Sequence, residues 1–309
     1  MDNNIEYIGK VALHYDCYSG KDLYEDGSED ELLNIVSNHG ENEYNSIIDQ
    51  RKDWAILYHL SDIRENIVDW MPIGKSDEVL EIGAGCGAIT GALARKAAHV
   101  DCIELSRKRS LVNATRHKDM DNIDIQVGNF QDVEKSLTKK YQYITLIGVL
   151  EYAASYIKSD EPYVEFLNII KKHLAPGGKI VVAIENKYGL KYWAGCKEDH
   201  LGTYYSGIEG YIGVDSVKTF SKNGLLKLGE ESGLTDMEFY YPYPDYKLPM
   251  IVYSDDYLPK QGELTNNLRN FDAERMMVFD ESKAFDNIIS DGMFDIFSNS
   301  YLVLYGMTE

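Results

Sequence analysis

Gly83, Gly85 and Gly87 stand within five positions of one another in "VLEIGAGCGAITGALARKAAHVDCIELS", the stretch from Val79 to Ser106. Glycine accepts positive φ and lets a ligand come close to the backbone. The apolar run before the glycines has strand character. The residues from Ala88 onward have helical spacing, so the turn leads into a helix whose first N–H groups lack partners. A second apolar run ends at Glu104 and Leu105, 17 positions after Gly87. A carboxylate at that strand tip can accept both hydroxyls of a ribose. The glycines also satisfy the dinucleotide pattern G-x-G-x-x-G/A, with Ala88 in last place, so they alone leave the nucleoside open. Glu81, two residues before the first glycine, would repel a pyrophosphate and suit a cationic ligand. In "VGNF", Asn129 can meet an adenine edge and Phe130 its face. A bare strand-to-helix turn is the competing reading, and three clustered glycines beside a placed acid disfavour it.

Groups able to move a proton are few. Glu151 and Tyr152 follow one apolar run, and Glu185 and Asn186 end the next. His200 comes after them, with Tyr204 and Tyr205 close in sequence. A lone histidine is more often structural than catalytic. His59, His99, His117 and His173 fall on helices or strand starts, whereas His200 follows the fifth strand, where it is best placed as a general base. Cys17, Cys86, Cys102 and Cys196 show no metal-ligand spacing, so free thiols and no metal are expected.

The elements that must hold these residues alternate from Glu78 onward. "EVLEI", "HVDCIE", "IDIQV", "YQYITLIG" and "KIVVAIEN" read as strands, with helical stretches between them. Such alternation means βαβ units and a largely parallel α/β sheet with helices on both faces. Residues 1 to 75 read as a helical extension or lid. Ser28 and Glu31 suggest a capping box, one helix spans about Tyr44 to Tyr58, and another starts at Ser61. Residues 76 to 309 form the main domain, with insertions at about 188–213 and 247–297. "SKNGLLKLGEESG" reads as a helix capped by Ser221, "TDMEFYYPYP" as a strand and "SNSYLVLYGM" as the last one.

The formal net charge of -20 argues against nucleic acid and anionic membrane as partners. No apolar stretch approaches a membrane span, and "MDNNIEYIGK" lacks the apolar core of a leader. A soluble, cytoplasmic protein is expected, with homodimerisation left open. Twenty-four tyrosines, crowded into "GTYYSGIEGY" and "YYPYPDYKLP", would suit a sugar or a ring-bearing acceptor. A packing role for them weighs equally.

Taken in order, "VLEIGAGCG", "VDCIELS", "VGNF", "ITLIGVLEY" and "LAPGGKIVVAI" resemble the donor-binding and strand motifs of class I S-adenosylmethionine-dependent methyltransferases. The resemblance covers residues 55 to 190 well and the rest of the sheet loosely. It implies a doubly wound, seven-stranded, mostly parallel sheet of order 3-2-1-4-5-7-6 with strand 7 antiparallel. It implies S-adenosyl-L-methionine as cofactor and S-adenosyl-L-homocysteine as product. Glu81 and the loop of Gly83, Ala84, Gly85 and Gly87 would meet the methionine moiety. Glu104 with Leu105 would hold the ribose, and Asn129 and Phe130 the adenine. Gly148 to Tyr152 would line the methyl side. Arg64 would pair with the methionine carboxylate, or else lie on the surface beside Glu65. The family more often has Asp where this chain has Asn129. "GVLEY" lacks the NPPY pattern of base and glutamine N-methylation. The chain is also similar to bacterial methyltransferases associated with polysaccharide glycosyltransferases. The expected reaction is O-methylation of a sugar or other small molecule, with His200, Glu151 and Tyr152 as its catalytic residues. A natural-product or peptide methyltransferase is the alternative, and a non-catalytic binding scaffold is a third reading.

Overall fold

Strands covered on both faces must be apolar throughout their length. Val79, Leu80, Val100, Cys102, Ile144 and Leu146 meet that need, each fully buried. The computed structural model describes residues 4–22, 26–267 and 275–308. It divides into two compact units, one of residues 1–146 with 173–178, the other of 147–172 with 179–309.

In the first unit, β1 (Ile5–Ile8) and β2 (Val11–His14) are followed by α1 (Glu29–Asn38), α2 (Tyr44–Arg51) and α3 (Trp54–Leu60). Then come β3 (Glu78–Ile82), α4 (Thr90–Lys96), β4 (His99–Glu104), α5 (Arg107–Arg116), β5 (Ile123–Val127), α6 (Phe130–Val133) and β6 (Tyr141–Ile147). Its strands lie in the order β1-β2-β5-β4-β3-β6. All neighbours are parallel except the hairpin β1–β2. The second unit contains α7 (Ala153–Tyr156), α8 (Pro162–Lys171), β7 (Leu174–Glu185), α9 (Leu190–Trp193) and α10 (Lys222–Glu231). It closes with β8 (Asp236–Tyr243), β9 (Ile251–Ser254), α11 (Glu281–Ser290), α12 (Phe294–Phe297) and β10 (Ser300–Gly306). Its strands run β7-β10-β8-β9, each antiparallel to its neighbour.

The described residues thus carry ten strands where seven were expected. Two of the additions correct the reading of the N-terminus as helical. "EYIGKVALH" folds as a hairpin about the two-residue turn Gly9-Lys10, and β2 then pairs in parallel with β5. Lys10 N–H donates to Lys118 C=O at 2.7 Å, fixing the hairpin beyond α5. The third addition, β9, comes from the expected 247–297 insertion, of which residues 268–274 lie outside the described residues.

Smaller corrections have local causes. Ser28 does not cap α1; the Glu29 carboxylate takes the N–H groups of Asp26 and Gly27, each at 3.0 Å. Of the acidic run around it, residues 23–25 lie outside the described residues. The expected helix over Tyr44 to Tyr58 is broken at Lys52, which has φ 51°, and restarts under the Asp53 cap. The segment after Ser61 winds as a 3₁₀ helix, Asp62–Ile67. Helix α4 opens at Thr90 rather than Ala88, because the glycine turn continues through Ile89.

The hairpin is part of the core, since Leu13 and Val11 are fully buried. Leu13→Ala should therefore cost about 2–5 kcal/mol, read as a shift in urea unfolding midpoint. A cost within a few tenths of a kcal/mol would mean that β1–β2 is only loosely attached.

Candidate functional site

The turn after β3 is tied to β4 by its backbone. Gly83 N–H and Ala84 N–H both donate to Ile103 C=O, at 2.9 and 3.2 Å. Gly85 N–H donates to Glu104 Oε2 at 2.8 Å, and Ser106 N–H to Glu104 Oε1 at 2.8 Å. Glu104 is buried, and burial raises its pKa against the N–H of Ser106 and the charge of Arg109. Leu105 follows it, half-buried. Two of the glycines differ in purpose. A Cβ on Gly87 would collide with Asn113 Oδ1, so that position serves packing against α5. A Cβ on Gly85, at φ +55°, would meet nothing within 4 Å. That is a cradle open to a ligand, edged by a buried carboxylate.

Glu81 turns inward. Its carboxylate accepts from Thr90 Oγ1 at 2.6 Å and lies 3.5 Å from Cys102 Sγ. Burial pushes it up to about 7, so it is not a fixed anion at neutral pH. Arg64 is buried on the 3₁₀ turn before β3, its guanidinium 4.1 Å over the Tyr58 ring, and its charge is felt at Glu81. Its surface alternative is removed, because Glu65 pairs with Arg95. Asn129 caps α6 by accepting from Gln131 N–H at 3.1 Å, and Phe130 is buried beside it.

The second unit gathers the groups expected to handle protons. Tyr152 Oη lies 2.9 Å from His200 Nδ1, and His200 Nε2 lies 3.3 Å from Glu185 Oε2. The Glu198 carboxylate accepts from the N–H groups of His200 and Leu201 at 2.8 and 2.7 Å, which sets the turn carrying the histidine. Burial alone would lower the imidazole pKa; the carboxylates of Glu185, Glu151 and Glu198 outweigh it and push it up to about 9. Glu151 is fully buried, with no hydrogen bond to Oε2. Burial and the charge of Glu185 raise it to about 8. Gly148, at φ +70°, leaves room for the Tyr246 hydroxyl, which a Cβ would approach to 2.9 Å.

Sequence reasoning missed the cations around this cluster. Lys247 Nζ lies 2.9 Å from Glu185 Oε1 and 2.6 Å from Asp199 Oδ1, while Lys191 Nζ lies 2.9 Å from Asp199 Oδ2. These charges outweigh burial and hold the Glu185 and Asp199 carboxyls well below the usual range. Only the polar residues amid "KYWAGCKEDH" and "YPDYKLP" hinted at them. Tyr241, Tyr243 and Tyr246 are buried and pack the core, whereas Tyr204 and Tyr205 are exposed.

A strand–glycine turn–helix unit, an acid at the neighbouring strand tip and parallel βα alternation define a class I S-adenosylmethionine-dependent methyltransferase domain. Residues 54–238, more than half of the chain, match the family described as "Methyltransferase domain", and the chain belongs to that family. S-adenosyl-L-methionine is its cofactor. The chain is 30% identical over 126 residues to the ribosomal RNA small subunit methyltransferase A of Streptococcus equi subsp. zooepidemicus, covering 37% of this chain and 43% of that one. It is 31% identical over the same length to the enzyme of that name from Streptococcus mutans. The chain thus spans less than half the length of the curated relatives it matches. A methyltransferase structure from Archaeoglobus fulgidus is similar at 14% identity and TM-score 0.49, over 82% of this chain and 99% of that one. Phosphoethanolamine N-methyltransferase 1 of Haemonchus contortus is similar at 14% identity and TM-score 0.46, over 93% and 52%. No helix of the described residues is long and apolar enough to cross a membrane.

Two substitutions separate ligand space from fold. Gly85→Asn suits the left-handed backbone but fills the open cradle, so S-adenosylhomocysteine binding should vanish in calorimetry while the melting temperature holds. Glu104→Gln keeps the volume and loses the charge. It should weaken binding by about 10- to 100-fold, the worth of a hydrogen bond to a charged group. Parental affinity in both variants would exclude this loop as the donor site.

Proposed function

We propose that this methyltransferase O-methylates a sugar or another small hydroxylated molecule. The observation that carries this reading is the chain Tyr152–His200–Glu185. In the neutral ring, Nε2–H points to the Glu185 carboxylate and the Nδ1 lone pair accepts from the Tyr152 hydroxyl. A proton taken from an acceptor hydroxyl by the Tyr152 oxygen can then pass to Nδ1. Such a relay is what a hydroxyl acceptor needs and what many amines do not.

For the donor, we assign the ribose to Glu104 with Leu105, the adenine to Asn129 and Phe130, and the methionine moiety to the loop Gly83–Gly87 with Arg64. Glu81 acts from behind the loop by holding Thr90, and Gly148 belongs to the turn that presents Glu151 and Tyr152. When bound, the donor supplies an electrophilic methyl group on a sulfonium. Residues 1–75 are assigned as wall and lid of the donor side. Partial likeness to ribosomal RNA enzymes favours RNA as a second acceptor class, which the net charge of -20 opposes.

The pH sign follows from His200. Its raised value, about 9, means the ring is charged at neutral pH and becomes a base only as pH rises. The methylation rate should therefore climb from pH 7 to about 9. His200→Gln should lower kcat by about 10²–10⁴-fold with donor affinity retained. The acceptor itself can be sought with isotopically labelled donor and mass spectrometry, using monosaccharides, nucleotide sugars, phenols, amines and ribosomal RNA. Label only in RNA or amines, or a flat profile together with an active His200→Gln, would sink the proposal.

A further inference from the structure

Charges within parallel strands are costly unless compensated. Yet β4 and β5 carry Asp101 and Asp124 directly opposite one another in register. His99 precedes Asp101 by two residues and shares its face. On β2, Ala12 pairs with Asp124, so His14, two residues further, also shares that face. His99 Nε2 lies 3.5 Å from Asp101 Oδ1 and 3.3 Å from Asp124 Oδ2, and His14 Nε2 lies 3.8 Å from Asp124 Oδ1. Both Nε2 atoms are buried, and neither makes a hydrogen bond of acceptable geometry. The other oxygen of Asp101 is already fixed, accepting from Tyr141 Oη at 3.0 Å and Lys139 Nζ at 2.8 Å. Its Oδ1 is thereby turned to the histidine.

The spacing is informative. An N–H···O hydrogen bond spans about 2.7–3.2 Å. A tetrahedral ion with nitrogen and oxygen ligands at about 2.0–2.2 Å has ligand-to-ligand edges of about 3.3–3.6 Å. The two His99 contacts fall in the second range, and one ligand atom each from His99, Asp101 and Asp124 lies within 4.8 Å of the others. We propose that His99, Asp101 and Asp124 bind a divalent ion of the zinc type, with the fourth position left to water. A mixed imidazole and carboxylate set suits such an ion, whereas magnesium and calcium take oxygen sets. The ion joins β4 to β5, with Tyr141 and Lys139 orienting Asp101 from outside the ligand shell. The site shares no residue with the donor loop or with the cluster of Glu151 and His200, so it stands apart from the proposed reaction. The rival arrangement is a protonated His99 bridging two carboxylates, which push it up to about 9. It differs in holding no metal.

The test uses the full chain, stripped with EDTA and titrated calorimetrically with Zn²⁺, with Co²⁺ as the spectroscopic probe. One equivalent should bind, Co²⁺ should give the intense visible absorption of a tetrahedral site, and the melting temperature should rise with the metal. His99→Gln and Asp124→Asn should each lose that equivalent. Tyr141→Phe should weaken it by about 10- to 100-fold, as expected for a group that orients a ligand. If the parent protein takes up no stoichiometric metal, or if both ligand variants bind as the parent does, the assignment is wrong.

Discussion

The turn after β3 organises the packing of the first unit. Two successive N–H groups, from Gly83 and Ala84, converge on the carbonyl of Ile103, and the next glycine donates to the carboxylate of Glu104. The loop thus positions the acid, and the acid holds the loop. Both geometries are already in place in the folded chain, which is the sense in which a site is preorganised. Glu81 completes the support from below by binding Thr90 at the start of α4, and Asn113 Nδ2 donates to the same Thr90 hydroxyl. A polar spine therefore runs under the turn through the otherwise apolar packing of β3 and α5.

The second unit is organised by a different economy. Glu185, Asp199, Lys191, Lys247 and His200 bring opposite charges together where water is excluded. Such a network is weak evidence of stability, because desolvation offsets much of the attraction, but removing one member strands its partner at a cost of about 3–5 kcal/mol. Its effect on chemistry is more direct. It keeps Glu185 ionised beside His200, and it leaves Glu151 as the group most easily neutralised.

Much of this was legible in the sequence because it depends on local signals. The clustered glycines, the acid at the tip of "VDCIE" and the strand–helix alternation each follow from short-range pattern. The hairpin escaped because β1 and β2 have only four residues each and sit beside an acidic stretch with helical spacing. The Lys247 contacts escaped for another reason. They join segments around residues 185, 199 and 247, and no period in a sequence announces such a meeting. Asp101 and Asp124 did leave a trace, as charges inside "HVDC" and "IDIQV", where a strand covered on both faces should be apolar. His200, Glu151 and Tyr152 were identifiable singly; their mutual contacts and the charge state of the imidazole needed the folded chain.

The pairing of β2 with β5 also bears on how the chain is made. Leu13 finds its partner in Ile125, so β2 must wait for about 110 residues of further synthesis, roughly 6–20 s at ordinary translation rates. A hairpin of two four-residue strands is marginal alone in water. During that interval Val11 and Leu13, both fully buried in the folded chain, lack the strand that covers them.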